Sequence, residues 1–239
     1  MINFLNDSTR KEIKYKVFIK DIDKLYSWLF KSSFKKSFDN RGVNSLYYDT
    51  PNLDFAASNI SGESRRIKIR ARWYTKSNED FFMGFSRGEQ SFQFEAKRKI
   101  NNQSDKLLIS KIFCSSESTI SDRQKFLKKE LTTKIAIDRK LSQFLIRDVI
   151  FVGYNRDYYE HFDSSGIRLT VDKEIVCSKA KPISFSKCSL ISSNYLIVEL
   201  KFKQSENILI KNIMKDFPFR QVRSSKYLYA LSKYYRFSY

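Results

Sequence analysis

Histidine occurs once in 239 residues, at His161, and that scarcity removes whole classes of chemistry. Metal centres built on several imidazoles, and most triads that need a histidine base, are unavailable. Set between Tyr158-Tyr159-Glu160 and Phe162, His161 itself reads as a surface or turn residue. The three cysteines (Cys114, Cys177, Cys188) make neither a metal-ligand spacing nor an even disulfide set, which points to a reducing compartment. Glycine (six) and proline (three) are also sparse, and no Gly/Ser/Pro linker divides the chain, so one domain over 1–239 is expected. No Gly-x-x-x-x-Gly-Lys-Ser/Thr loop or Gly-x-Gly-x-x-Gly fingerprint occurs, which excludes a P-loop or Rossmann nucleotide site. No apolar run reaches the roughly 20 residues that span a bilayer. The first residues, Met1-Ile2-Asn3-Phe4-Leu5-Asn6-Asp7, lack the charged-then-apolar layout of a signal peptide, so a cytoplasmic protein without a transmembrane segment is expected.

What the chain has in excess is positive charge: 45 Lys and Arg against 26 Asp and Glu, a formal net charge of +19. Such a balance implies a polyanionic partner, whether nucleic acid, phosphate polymer, nucleotide or acidic membrane surface. The excess is organised. In Arg65-Arg66-Ile67-Lys68-Ile69-Arg70-Ala71-Arg72-Trp73-Tyr74, the cations at 66, 68, 70 and 72 alternate with Ile67, Ile69, Ala71 and Trp73. A period of two makes this a strand with one apolar and one cationic face. Same-face neighbours lie about 7 Å apart and repel by about 2 kcal/mol at an effective dielectric near 20, but by well under 1 kcal/mol in water. Four cations in file are therefore tolerable on a solvated face and costly in an enclosed one without a counter-charge. Taken alone, the strand fits a solvated sheet face at least as well as a polyanion site.

Other strands repeat the pattern. Glu12, Lys14 and Lys16 oppose Ile13, Tyr15 and Val17; Glu95, Lys97 and Lys99 lie behind Phe92, Phe94 and Ala96. Arg156 sits in Gly153-Tyr154-Asn155-Arg156-Asp157-Tyr158. Arg168, Thr170 and Asp172 oppose Ile167, Leu169 and Val171, and Glu199, Lys201 and Lys203 repeat the arrangement. Basic faces with interspersed acids fit best if they converge on one space, as in a barrel, where interior and exterior positions alternate along every strand. The expected architecture is α+β: a closed antiparallel eight-stranded β-barrel, charged inside, with helices packed outside.

Element by element, strands are expected at 11–19, 45–50, 65–74, 91–99, 149–160, 167–176 and 195–203, with a further short strand at 106–112 and a last one at 219–223. Helices are expected at 21–38, 122–146, 206–216 and 225–236, and long connections at 75–90, holding Gly84 and Gly88, and at 178–194. Lys and Arg side chains must bind any phosphate. Metal binding falls to carboxylates, which suits Mg²⁺ or Mn²⁺ with water and phosphate completing the shell.

Glu12-Ile13-Lys14-Tyr15, Ser45-Leu46-Tyr47-Tyr48-Asp49-Thr50-Pro51, Arg70-Ala71-Arg72-Trp73-Tyr74, Phe94-Glu95-Ala96-Lys97-Arg98-Lys99, Tyr154-Asn155-Arg156, Arg168-Leu169-Thr170-Val171-Asp172, Val198-Glu199-Leu200-Lys201 and Ser225-Lys226-Tyr227 occur in that order. Each is weak alone. Together they resemble the VTC-type polyphosphate polymerase domain, a branch of the triphosphate tunnel metalloenzymes (CYTH-like superfamily), from about residue 10 to residue 231. The resemblance implies a closed tunnel of eight antiparallel strands. It implies Lys14, Arg70, Arg72, Lys97 and Lys226 as catalytic residues, and Arg156, Arg168 and Arg223 as phosphate-binding, with Lys106 a further candidate. Lys16, Lys68 and Lys201, on the same polar faces, join the substrate-binding set. Glu199 matches the carboxylate that holds the divalent metal, with Glu12 and Glu95 as additional candidates.

Tunnel triphosphatases open with Glu-x-Glu-x-Lys, whereas this chain has Glu12-x-Lys14-x-Lys16. Loss of the second acid removes a metal ligand typical of the hydrolases and favours the polymerase-like branch. The implied activity is transfer of the ATP γ-phosphate to a polyphosphate chain with Mn²⁺ or Mg²⁺. The partners are then ATP or another triphosphate and inorganic polyphosphate, with no specific nucleic acid. The alternatives are a metal-dependent triphosphatase or short-chain polyphosphatase, and a non-catalytic binder of RNA or polyphosphate. Abundant Tyr and Phe beside basic charge is also the footprint of nucleic-acid binding. Carboxylates placed among cations at strand spacing, and the lack of a nucleic-acid motif, count against the binder.

Overall fold

Alternating residues at the start of the chain form β1 (Arg10–Phe18), which turns Tyr15 and Val17 inward and leaves Lys16 exposed. A 3₁₀ turn, Ile19–Asp21, leads into helix α1 (Ile22–Lys31). Leu25, Trp28 and Leu29 make its buried stripe, whereas Phe30 is 87% exposed. The helix stops at Lys31 and does not run to residue 38: Ser33 takes a left-handed φ of 55°, and the chain continues as β2 (Phe34–Asp49). This strand is far longer than the expected 45–50. Helix α2 (Asp54–Ile60), not anticipated, precedes β3 (Arg66–Thr75). Then come β4 (Gln90–Ile100), β5 (Gln103–Cys114) and helix α3 (Ile120–Ile137). The expected continuation of α3 to residue 146 is not helical over 141–146, yet Leu141 and Phe144 still reach the core. β6 (Arg147–His161), β7 (Ser164–Lys179), the two-residue β8 (Ile191–Ser192) and β9 (Tyr195–Lys203) follow. Helices α4 (Asn207–Ile213) and α5 (Lys226–Tyr234) close the chain. Instead of a strand at 219–223 there is a single bridge between Tyr15 and Gln221.

The structure, a computed structural model, describes residues 10–76, 90–100, 103–114, 120–137, 141–180 and 190–235. The connection holding Gly84 and Gly88 lies outside these residues, but β3 and β4 pair antiparallel as a long hairpin requires. The eight long strands form an antiparallel sheet in the order β1-β9-β7-β6-β2-β3-β4-β5, with β8 beside β7. Hydrogen bonding does not close it into the expected barrel: β1 and β5 end the order, and among the described residues no ladder joins them.

Two compact units emerge, and the chain passes back and forth between them. The first comprises residues 1–41, 155–175 and 193–224. Its core packs Tyr15 and Val17 of β1, Ile167, Leu169 and Val171 of β7 and Leu196, Val198 and Leu200 of β9 against α1 and Ile210 of α4. The second comprises 42–154, 176–192 and 225–239. There Ile69, Ala71 and Trp73 of β3 and Phe92, Phe94 and Ala96 of β4 pack with Leu127, Leu131 and Ile135 of α3. Each fully buried side chain of this size contributes about 1.5–3 kcal/mol. In both units it is the apolar strand face that meets the helices. The polar faces are not simply solvated either: in β9, every residue from Tyr195 to Leu200 is buried, Glu199 included.

Candidate functional site

In the first unit, strand register builds a charged row. Lys14 lies opposite Glu199 across the β1–β9 ladder and Glu12 opposite Lys201, while β7 sets Arg168 against Lys201 and Thr170 against Glu199. The side chains interlock accordingly. Lys14 Nζ lies 3.0 Å from Glu12 Oε1 and 3.8 Å from Glu199 Oε2. Lys201 Nζ lies 2.7 Å from Glu199 Oε1 and 3.8 Å from Glu12 Oε2. Two lysines thus bridge two carboxylates, of which Glu199 is only 6% exposed. Burial disfavours the Lys14 ammonium, but Glu199, Glu12 and Asp172 outweigh it and hold its pKa above the ordinary lysine value. A raised lysine pKa stabilises the fold at all pH values below the unfolded value and is lost only as pH rises above it, so the cluster is intact at neutral pH.

Arg156 is clamped by Asp172, Nε to Oδ1 at 2.5 Å and Nη2 to Oδ2 at 2.8 Å, and Asp172 is fully buried. Such a bidentate pair is both strong and geometrically fixed. Arg168 reaches Glu160 at 3.2 Å and is largely exposed. A cavity of about 300 Å³ is lined by Arg156, Arg168, Thr170, Glu199 and Lys201 among others. The Thr170 hydroxyl is buried there with no hydrogen-bond partner. Of two further candidates, Lys16 lies over the Tyr195 ring at 4.2 Å, and Arg223 is exposed.

In the second unit, Arg70 pairs with Glu95 across the β3–β4 ladder. Its Nε donates to Glu95 Oε2 at 2.7 Å, and Nη2 contacts the same oxygen. Arg72 lies beside Ser45 Oγ and the Tyr154 hydroxyl, both at 3.4 Å, and Lys226 sits 4.7 Å over the Tyr154 ring. Backbone register sets Lys68, Lys97 and Lys106 abreast on three adjacent strands. Lys68 Nζ donates to Ser225 Oγ at 3.3 Å. Burial pushes the Tyr47 phenol up, yet Arg70, Arg72 and Lys68 outweigh burial and pull it below its ordinary value.

The motif Tyr47-Tyr48-Asp49-Thr50-Pro51 has a structural task that its sequence does not reveal. Asp49 is fully buried and accepts hydrogen bonds from the backbone N–H groups of Thr50, Phe55 and Ala56 at 2.7, 2.9 and 2.9 Å. The Tyr227 hydroxyl donates to its second oxygen, and Tyr47 stacks on Tyr227 at 4.9 Å. One carboxylate therefore anchors the start of α2 and ties α5 to β2, which positions Lys226 next to Tyr227. His161 does lie at the β6–β7 turn, accepting from Asp163 N–H, but it is buried, edge-on to Phe34, and is no surface residue.

Among the described residues, no three His, Cys, Asp or Glu side chains converge as a cation site. The donor set still fits a hard divalent ion of the Mg²⁺ or Mn²⁺ type, which is commonly held by one or two carboxylates with phosphate and water completing the shell. Glu199 and Glu12 would hold it, with charge now balanced by Lys14 and Lys201 available to phosphate. Glu95, in the second unit, is already engaged by Arg70. No helix among the described residues is long and apolar enough to cross a membrane.

No curated protein matches the chain by sequence. Among solved structures, a Bacillus halodurans protein described as a candidate adenylate cyclase is similar in fold, with a TM-score of 0.52 at 13% identity, covering 95% of this chain and 99% of that one. A chain of the Schizosaccharomyces pombe Mediator head module aligns with a TM-score of 0.50 at 7% identity, covering 89% and 96%. A Hippeastrum adenylyl cyclase candidate, described as having a dominant triphosphatase activity, gives 0.48 at 14% identity, covering 93% and 95%. At such identities the likeness is one of fold, and one fold hosts many functions. Sequence carries the assignment further: the motifs that supply Lys14, Arg70, Arg72, Glu95, Arg156, Glu199 and Lys226 all fall within residues 9–235, the span matched by the VTC domain family, and the chain belongs to that family.

Proposed function

We propose that the protein is a polyphosphate-polymerase-like phosphotransferase that moves the ATP γ-phosphate onto a growing polyphosphate chain. The closed tunnel that the resemblance implies is part of this reading. The observation that supports it best is the burial of Glu199 between Lys14 and Lys201 on a cationic face whose opposite side is already used for the core. A sheltered row of cations and carboxylates suits a phosphate chain with a divalent ion better than a duplex surface does.

Arg70, Arg72, Lys97, Arg156 and Arg168 would neutralise the triphosphate, with Lys16, Lys68, Lys106, Lys201 and Arg223 along the polymer path. Lys14 in the first unit and Lys226 in the second would each act as a catalytic residue. A terminal oxygen of phosphate or polyphosphate attacks the γ-phosphorus, the bond from that phosphorus to the β–γ bridging oxygen breaks, and ADP leaves. A Mn²⁺ or Mg²⁺ on Glu199 would supply Lewis-acid stabilisation of the phosphate charge. Phosphoryl transfer asks little more of a protein than positioning and fixed charge. Incubation of the purified protein with ATP and Mn²⁺, followed by separation of ADP, orthophosphate and polymer, tests this. Polymer with ADP is expected. ADP with orthophosphate alone would make the protein a triphosphatase, and salt-sensitive association without turnover would make it a binder.

A further inference from the structure

The cavity in the first unit has aromatic side chains in its lining that phosphate chemistry does not explain. Its lining includes Phe38, Arg41 and Tyr158. Phe38 is 56% exposed and meets Tyr158 edge-on, with ring centroids 6.0 Å apart. The Arg41 guanidinium lies over the Tyr158 ring at 5.2 Å. Single exposed apolar side chains are normal, and Phe30 on α1 is more exposed still. Phe38 differs in its company: an open aromatic ring and a guanidinium share a cavity with Arg156, Arg168 and Lys201. Inorganic phosphate has no use for such a ring. A nucleotide has, because its base presents a planar π-face that stacks on aromatic side chains while its phosphates seek the cations.

We propose that Phe38, supported by Tyr158 and Arg41, is a stacking platform for the nucleobase of a nucleoside triphosphate, its phosphates running toward Arg156, Arg168 and Lys201. The inference rests on the triphosphate reading above and adds where the nucleoside is held. It makes Phe38 a specificity-determining residue that separates nucleotides from inorganic polyphosphates.

Calorimetric titration of wild type, Phe38→Ala and Phe38→Trp with ATP and with inorganic tripolyphosphate tests it. Phe38→Ala is expected to weaken ATP about tenfold and to leave tripolyphosphate within about twofold, while Phe38→Trp retains ATP binding. Unchanged ATP affinity in Phe38→Ala, or equal weakening of both ligands, overturns the platform while leaving a phosphate site in place. Failure of wild type to bind either ligand overturns the platform and the triphosphate reading together.

Discussion

Glu199→Gln is expected to lower metal-dependent turnover of ATP by about a hundredfold or more, since even residues behind a metal ligand commonly cost ten- to a hundredfold. The substitution keeps the shape of the side chain and removes its charge. Both oxygens of Glu199 face ammonium groups, Lys201 at 2.7 Å and Lys14 at 3.8 Å, so the amide also leaves two lysines without their main counter-charge. Lys14, whose pKa the carboxylates hold up against burial, moves down toward its ordinary value or below. Substrate binding without metal should respond the other way. Removing an anion from a cationic face leaves tripolyphosphate affinity unchanged or tighter. A variant that turned over ATP within about threefold of wild type would remove Glu199 from the metal site.

Arg70→Leu is expected to cost stability before it costs anything else. Glu95 is 6% exposed and receives two contacts from the Arg70 guanidinium. Removing one side of a buried ion pair costs about 3–5 kcal/mol. For a chain of this size, that lowers the melting temperature by about 10 °C. Adding Glu95→Leu to Arg70→Leu removes the buried carboxylate as well and should recover most of the loss, because a buried ion pair and an apolar pair of similar volume are often equivalent in stability. The double variant should melt near wild type and still bind phosphate poorly. If Arg70→Leu alone melted within about 2 °C of wild type, the pair would be no more than a surface contact.

Arg70 and Glu199 also mark how far a sequence of this kind is legible. Alternation places both on polar faces and puts β3 and β9 almost residue for residue where they lie, because a strand sends successive side chains to opposite faces and a helix does not. Which carboxylate each cation meets is not legible. Arg156 reads as a phosphate ligand, but Asp172, sixteen residues away on the neighbouring strand, grips it twice. Register across a sheet decides such pairs. The end of α1 escapes the pattern for a local reason: Phe34 continues the helical spacing from Phe30, yet Phe30 faces solvent and Phe34 begins a strand after a left-handed Ser33. Helix α2 carries little signal of its own because its stability comes from outside it, through the Asp49 carboxylate and Tyr227, 178 residues distant. β5, too polar to read as a strand beyond 106–112, is held by its ladder to β4.

The proposed function requires that the cations and carboxylates on the strand faces bind a phosphate chain. A crystal structure of the protein with tripolyphosphate and Mn²⁺ tests it most directly. The prediction is phosphate density against Lys14 and Lys201 and against Arg70 and Arg72, with the metal on Glu199. Phosphate bound only to exposed helix lysines such as Lys125, Lys128 and Lys129 of α3, with Glu199 still held by its two lysines, would contradict it.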